Sequence, residues 1–100
     1  MEEAERQTVW LRKTERVDSL RIIRDGRVRF YSYTYRVKDR GRWKPVVRWD
    51  NYDSQPHVDK YDENGGLIEQ RPAMAKELKE VVHLATIFRR NLMAMDLAEL

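Results

Sequence analysis

The residues best suited to chemistry lie together in the stretch RWDNYDSQPHVDKYD, which runs from Arg48 to Asp62. His57 and Asp59 are two positions apart, so on a β-strand their side chains project from the same face. A carboxylate beside an imidazole orients the ring and stabilises its charged form, which suits general acid–base catalysis. The stretch therefore predicts a catalytic group, whose members are Arg48, Asp50, His57, Asp59 and Tyr61.

Cleavage of a phosphodiester bond is one reaction that this group could perform. The reaction requires an acid, a base and a cation that stabilises the charge developing on the phosphate. His57, Tyr61 and Arg48 supply these roles if the fold brings them within a few ångströms of one another. The sequence therefore makes ribonuclease activity a hypothesis that the fold can support or weaken.

Two other interpretations of the same stretch stay open. Its oxygen and nitrogen donors suit a hard or borderline divalent metal. Those donors belong to Asp50, Asp53, His57 and Asp59. Turn formation and hydrogen bonding in a β-connection also explain these residue types. Because the spacings match no diagnostic motif, we expect no cofactor and assign no metal.

The charge of the chain is unevenly distributed. Residues 1–48 hold 14 lysines and arginines against 7 acidic residues, a net charge of +7, whereas residues 49–100 hold 6 against 10, a net charge of −4. The basic half is mostly arginine, which forks onto phosphate and stacks on aromatic planes. This distribution favours a polyanion such as RNA as the partner. A soluble, salt-bridged surface is the alternative.

Turn chemistry predicts how the central strands are paired. Asp25-Gly26 stands between two runs rich in β-branched and aromatic residues and predicts a hairpin with a two-residue turn, because both central positions of a type I′ turn need a positive φ. Such a turn places Leu20 opposite Tyr31. Directly opposed residues share a face, so Leu20 and Ile22 are expected on the tyrosine side.

The second turn, DRGR at residues 39–42, leaves the register open. A three-residue loop turns one set of side chains toward the tyrosines: Trp43, Val47 and Trp49. A two-residue loop turns the alternate set toward them: Lys44, Val46, Arg48 and Asp50. A slip of one residue exchanges the two faces of a strand. We adopt the three-residue loop, because it buries both tryptophans.

Tyr31, Tyr33 and Tyr35 occupy alternate positions between these turns and therefore share one face. They form either part of the core or a platform for stacked bases, and the adopted register favours the core. The opposite face then predicts a nucleic-acid-binding strip. Its members are Arg21, Arg36, Lys44 and Arg48, with Phe30 at one end to stack a base. A solvated sheet face is the alternative.

The whole chain predicts an α+β fold, an antiparallel meander of four or five strands with a long carboxy-terminal helix packed on one face. One domain is expected, with a short helix or arm at residues 1–17, the sheet at 18–70 and the helix at 73–98. At about 37 Å, that helix would overhang the strands. Its surplus length favours an alternative function, a non-enzymatic interaction module that forms a homodimer or binds a protein partner.

Composition limits where the protein acts. The chain has no cysteine, so it has neither disulfides nor a thiolate metal site and fits an intracellular, cytoplasmic protein. Its apolar runs are all shorter than the about 18 residues of a membrane span. We therefore expect no membrane association.

Three short motifs resemble the TumE-type toxin family of bacterial and archaeal toxin–antitoxin modules: YSY at 31–33, RWDN at 48–51 and PH at 56–57. Small uncharacterised archaeal proteins share this order of parts, which here covers residues 20–95. The resemblance implies a small α+β protein that acts on RNA or translation and is held by an antitoxin partner. It implies Arg48, Asp50, Asn51 and His57 as the residues to test.

Overall fold

The computed structural model describes residues 1–52 and 55–95 and has an α+β fold. Six antiparallel strands form one sheet in chain order. They are β1 (Glu2–Arg12), β2 (Glu15–Arg24), β3 (Arg27–Asp39), β4 (Arg42–Asp50), β5 (His57–Tyr61) and β6 (Leu67–Pro72). Helix α1 (Leu78–Phe88) and a short 3-10 helix (Arg89–Met93) follow. The predicted fold class is confirmed, with six strands instead of four or five. Asp53 and residues 96–98, named in the predictions above, lie outside the described residues.

The amino-terminal segment is a strand, β1, so the prediction of a helix or arm at residues 1–17 is wrong. Strand geometry explains its cluster of apolar residues, because neighbouring side chains of a strand point to opposite faces. Val9 packs against the core, while Trp10 lies opposite Arg16 on the other face. The adjacent apolar residues therefore lie on opposite faces of the sheet, whereas an amphipathic helix would place its apolar residues on one side.

One face of the sheet, called the helix face below, carries α1 and the hydrophobic core. Tyr31, Tyr33 and Tyr35 lie on this face and are buried. They pack with side chains from other elements: Val17, Val47, Trp49, Val58, Val81, Ala85 and Leu92. The three tyrosines are therefore core residues and do not form a stacking platform. The opposite face, which meets solvent, is called the open face.

The hairpin between β2 and β3 turns at Asp25-Gly26, where both residues have positive φ, 52° and 75°. The predicted two-residue turn is thus confirmed. A β-bulge at Arg29 then adds one residue to β3 and shifts the register. This shift exchanges the faces of β2 relative to the tyrosines. Leu20 and Ile22 consequently lie on the open face, and the prediction that they pack beside the tyrosines is wrong.

The hairpin between β3 and β4 also has a two-residue turn, at residues 40–41, with φ of 52° and 77°. The predicted three-residue loop is therefore wrong. A second bulge, at Val46, shifts the register back, so the residues that follow it lie on the predicted faces. Val47 and Trp49 are therefore fully buried in the core. Trp43 lies on the turn side of this bulge and falls on the open face instead of in the core.

Helix α1 has eleven residues and is much shorter than predicted. Pro72 belongs to β6, and the helix begins at Leu78. It ends at Phe88, followed by Arg89 with a φ of 52°, and the 3-10 helix then buries Leu92 against the sheet. The predicted overhang, on which self-association depended, is absent from the described residues. The described helices are also too short to cross a bilayer.

A buried carboxylate fixes the end of α1 to the sheet. Glu15, which is 1% exposed, accepts hydrogen bonds from Tyr35 Oη and from Arg89, whose Nε lies 3.0 and 3.1 Å from its two oxygens. Arg12 Nε lies 3.5 Å away. The hydrogen bonds from Arg89, helped by Tyr35 and the nearby charges, outweigh burial and hold the pKa of Glu15 below its ordinary value of 4.5. These four residues are called the Glu15 cluster.

Candidate functional site

The pairing of β4 with β5 assembles the polar group predicted from the sequence. Arg48 lies opposite Asp59 and Asp50 lies opposite His57 in the strand register. Along each strand the two polar residues flank a buried residue, which is Trp49 in β4 and Val58 in β5. All four polar side chains therefore lie on the open face. They are called the His57 cluster: Arg48, Asp50, His57 and Asp59.

Arg48 joins the two carboxylates of the His57 cluster. Its Nη2 and Nε lie 2.8 and 3.2 Å from Asp59 Oδ2, and its Nε lies 3.1 Å from Asp50 Oδ2. Asp59 is fully buried and Asp50 is 4% exposed. The pKa of Arg48 is raised. Burial lowers this pKa, but the hydrogen bond to Asp59 and the surrounding negative charges raise it by more. The guanidinium therefore stays charged and neutralises one of the two carboxylates.

His57 faces an oxygen acceptor at each ring nitrogen. Nδ1 lies 3.0 Å from the carbonyl oxygen of Gln55, and Nε2 lies 2.7 Å from Asp50 Oδ1. Asp59 Oδ1 lies 3.8 Å from the same Nε2. A neutral imidazole has one N–H and one lone pair, so it satisfies only one of these acceptors as a donor. The other contact requires a further proton or another cation between nitrogen and oxygen.

Neighbouring polar groups hold the two carboxylates in position. Gln70 Nε2 donates to Asp59 Oδ1 at 2.7 Å, and the Tyr52 backbone N–H donates to Asp50 Oδ1 at 3.1 Å. The Tyr61 ring centroid lies 5.8 Å from Arg48 Cζ, and burial raises the pKa of its hydroxyl. A cleft of about 530 Å³ lies over the cluster, lined further by Phe30, Ser32, Tyr52, Gln55 and Gln70. The surroundings thus form a polar pocket with aromatic walls.

The structure brings all five predicted catalytic residues together: Arg48, Asp50, His57, Asp59 and Tyr61. An imidazole between carboxylates can accept or donate a proton at Nε2, as general acid–base chemistry requires. The cluster carries one negative charge when His57 is neutral and none when it is protonated. It is therefore not an anion site by itself, and cations that bind phosphate must come from elsewhere on the open face.

The predicted nucleic-acid-binding strip is divided by the two bulges. Phe30, Arg36 and Arg48 lie on the open face, as predicted. Arg36 is paired there with Asp18, its Nε lying 3.0 Å from Oδ2. Arg21 and Lys44 lie on the helix face, because the register shifts carry them across, so their placement on the strip is wrong. The remaining strip is largely neutralised by carboxylates.

The pattern of the sequence did not predict the aromatic surface of the open face. Trp10 and Trp43 meet edge to face with ring centroids 5.7 Å apart and an angle of 68° between planes. Arg16 Cζ lies 4.2 Å from the Trp43 centroid and 5.6 Å from that of Trp10. Trp10 is 58% exposed. These three residues are called the tryptophan platform. The alternation of Val9 and Trp10 in a strand was the signal that could have revealed it.

Several basic residues lie at the end of the sheet that carries the tryptophan platform. The turns at residues 13–14 and 40–41 lie side by side, joined by a hydrogen bond of 2.8 Å from Lys38 N to Thr14 O. Lys38 lies directly opposite Trp43. Four cations at this end have no carboxylate within 4.0 Å in the described part of the chain: Lys13, Lys38, Arg40 and Arg42. They are called the basic end of the sheet.

The chain belongs to a protein family described as a domain of unknown function (DUF7718), whose family model matches residues 1–90. The match spans all six strands and α1, so it includes the His57 cluster, the tryptophan platform and the basic end. No curated protein and no solved structure matches the chain. Its function therefore has to be inferred from the open face itself.

Proposed function

We propose that this member of the DUF7718 family binds single-stranded RNA in the cytoplasm across the open face of its sheet. The single observation that carries the proposal is the pair of tryptophans on the open face of the sheet, with Arg16 packed against their rings. Stacking on an aromatic side chain contributes about 1–3 kcal/mol per base and tolerates any base. The tryptophan platform would stack bases while the basic end contacts phosphates.

The geometry favours a single strand over a duplex. A base has to leave its own stack before it can lie on a side-chain ring, as it does in single-stranded loops and ends. Arg16 covers Trp43 at 4.2 Å, so an incoming base either stacks on the guanidinium plane or displaces it. Arginine planes and aromatic rings both serve as stacking surfaces. The resemblance to the TumE-type toxins selects RNA as the class of nucleic acid.

Ribonuclease activity is a second candidate, favoured by the assembly of the five predicted catalytic residues. Trp43 and Arg48 are five residues apart on one strand, which corresponds to about 15 Å. An RNA strand that stacks on the platform can therefore reach the cleft over the His57 cluster. There His57 would transfer a proton and Arg48 would face the phosphate, with Tyr61 beside it.

The binding test uses a labelled oligouridylate of about twelve nucleotides in a buffer that contains EDTA, with fluorescence anisotropy as the readout. Trp43→Ala should weaken binding about 5- to 150-fold, because it removes one stacked base. The control is Ile87→Ala, an exposed apolar residue on α1, which should bind as the wild type does. Equal binding by both variants, or no binding at low salt, would overturn the proposal. The same oligomer as DNA tests the choice of RNA.

Salt dependence tests the role of the basic end. Each phosphate contact to a single strand contributes about −0.7 to the log–log slope of affinity against salt, so four cations predict a slope near −3. The variant Lys38→Gln with Arg40→Gln should reduce the slope by about half. Its matched control is Arg27→Gln with Arg29→Gln, which changes the net charge equally at the opposite end of the sheet. Identical slopes in the two double variants would exclude a local site.

The toxin-like and catalytic parts of the proposal have their own test. Expression of the wild type in a bacterial host should slow growth and cleave RNA if the second candidate is right. Trp43→Ala should relieve both effects through lost binding, whereas His57→Gln should abolish cleavage and leave RNA binding intact. If His57→Gln still cleaves RNA, the catalytic assignment fails while the binding proposal stands. Copurification of the protein encoded beside it tests for an antitoxin partner.

A further inference from the structure

We infer that Asp50, His57 and Asp59 form a binding site for a divalent transition-metal ion, such as Zn²⁺ or Mn²⁺. The three side chains each offer one donor atom, and these atoms all lie within 4.8 Å of one another. The site needs no RNA for its argument or for its test. It goes beyond the binding function proposed above and can stand or fall independently of it, but it excludes the acid–base role of His57, because Nε2 cannot bind a metal ion and transfer a proton at once.

The spacing of the donor atoms suits one shared ion. With metal–ligand distances of about 2.0–2.2 Å, two donors on the same metal lie no more than about 4.3 Å apart. His57 Nε2 lies 2.7 Å from Asp50 Oδ1 and 3.8 Å from Asp59 Oδ1. Both distances are within that limit, so His57 can share one ion with either carboxylate.

The orientation of His57 provides a second, independent argument. Its Nδ1 lies 3.0 Å from the Gln55 carbonyl oxygen, so in the tautomer that carries its proton on Nδ1 the ring donates to this carbonyl and keeps its lone pair on Nε2. That lone pair then faces the oxygen of Asp50 at 2.7 Å. In this tautomer the two lone pairs repel each other unless a proton or a metal ion lies between them, and a metal ion bound there keeps the hydrogen bond from Nδ1 to Gln55. A ring whose outer nitrogen donates to a carbonyl is also how metal-binding histidines are usually held.

The surrounding groups prepare the carboxylates for a cation. Arg48 binds Oδ2 of both Asp50 and Asp59, so both Oδ1 atoms are left on the side of His57. Gln70 donates to Asp59 Oδ1 at 2.7 Å and fixes its position. With neutral His57 the cluster keeps one net negative charge despite Arg48, so a dication is attracted and not repelled.

The donor set indicates the class of ion and its chemistry. One imidazole and two carboxylates suit Zn²⁺ or Mn²⁺ better than Mg²⁺, which prefers oxygen donors alone. Three protein ligands leave further positions for water or substrate, as in catalytic metal sites. A metal there would lower the pKa of a bound water and add the positive charge that the His57 cluster lacks.

The test uses the two histidines of the chain, His57 and His83, as internal reporters. Ring ¹⁵N spectra of the full chain are recorded during titration with ZnCl₂, and with MnCl₂ for paramagnetic broadening. The His57 signals should saturate at one ion per chain, with Nδ1–H retained and Nε2 shifted as a ligand. The His83 signals should stay unchanged, because this residue lies exposed on α1. The proposal is wrong if the His57 ring is doubly protonated at neutral pH and its signals change with neither metal. A proton alone would then lie between Nε2 and Asp50 Oδ1.

Variants locate the site. Asp59→Asn and His57→Gln should each weaken Zn²⁺ binding at least tenfold in calorimetry. His57 is only 15% exposed but lies at the surface of the cluster, so its variant remains informative if Asp59→Asn does not fold. The matched controls are Asp18→Asn, which removes another open-face carboxylate, and His83→Gln. If a control loses affinity as much as the site variants do, the assignment is wrong.

Discussion

Two buried carboxylates, Glu15 and Asp59, lie on opposite faces of the same sheet, and each is bonded to an arginine. Glu15 lies under the end of α1, where its partners are a hydroxyl and two guanidinium groups. Asp59 lies on the open face, where a second carboxylate and an imidazole share its surroundings. The Glu15 cluster has no other acidic group among its four members. The His57 cluster combines two.

This difference separates a structural site from a candidate functional one. The Glu15 cluster joins residues 74 positions apart in the chain and ties α1 to β2, which is a sufficient reason for its burial. The His57 cluster joins only adjacent strands that already pair through their backbones. Placing two carboxylates together there costs free energy that folding does not require. The excess negative charge therefore needs another explanation, and a cation or a catalytic proton supplies one.

The largest effect is expected at the Glu15 cluster. Arg89→Ala leaves the buried Glu15 without its main hydrogen-bond donor and should lower the free energy of unfolding more than any other substitution considered below. Urea denaturation measures the change. The matched control is Arg90→Ala, the next residue, which has no carboxylate within 4.0 Å among the described residues and should change stability by less than about 0.5 kcal/mol. If the two variants are equally stable, the Glu15 cluster does not hold the helix.

A pH series on the Glu15→Gln variant tests how much the charge of Glu15 stabilises the fold. The variant should be about 2 kcal/mol less stable at pH 7, because it loses a charged hydrogen-bonded pair. Hydrogen bonds from Arg89 lower the folded-state pKa of Glu15. The contribution of Glu15 is therefore present above its unfolded pKa of 4.5 and is lost as the pH falls through the folded value. Urea midpoints of wild type and variant should converge in acid. A constant difference would contradict this.

The equivalent arginine of the open face should matter less for stability. Arg48→Ala is expected to cost less than Arg89→Ala, because Gln70 Nε2 and the Tyr52 N–H still donate to the two carboxylates and the strands that carry them pair through their backbones. Arg36→Ala, which removes an open-face arginine paired only with Asp18, is the control and should cost less. A loss as large as that of Arg89→Ala would mean that the two clusters have the same structural role.

The smallest effect on stability is expected for His57→Gln. Folding does not depend on this ring, since the strands pair through their backbones, so the unfolding free energy should change by less than about 0.5 kcal/mol. The same variant should lose metal binding. A stable protein without the ligand would separate the two clusters most clearly. A large loss of stability would instead show that His57 is a structural residue.

Local signals predicted much of this molecule. The turn at Asp25-Gly26 depends on two adjacent residues, and its geometry was predicted correctly because positive φ is a local property. The His57 cluster was predicted because one short connection separates β4 from β5, so residues close in sequence meet across a hairpin. The fold class followed from alternation and turn spacing in the same way.

Long-range packing decided the features that local signals missed. Two bulges, at Arg29 and Val46, exchange faces that strict alternation would keep, and the packing of both faces determines where a strand can accept an extra residue. Apolar residues at helical spacing continue past Phe88 in the sequence, at Leu92 and Met95. The helix nevertheless stops before Arg89, where the salt bridge to Glu15 and the burial of Leu92 favour a break.

By itself, the sequence determined the fold class, the positive-φ turn at Asp25-Gly26, and which polar side chains gather between β4 and β5. Each of these depends on neighbours within a few positions. Only the tertiary structure decided that Trp10 meets Trp43 and that Glu15 meets Arg89, because those contacts depend on the pairing order of four strands and on where α1 ends. The strand register depends on the packing of the whole sheet, because burial of one face determines which side chains the other face presents to solvent.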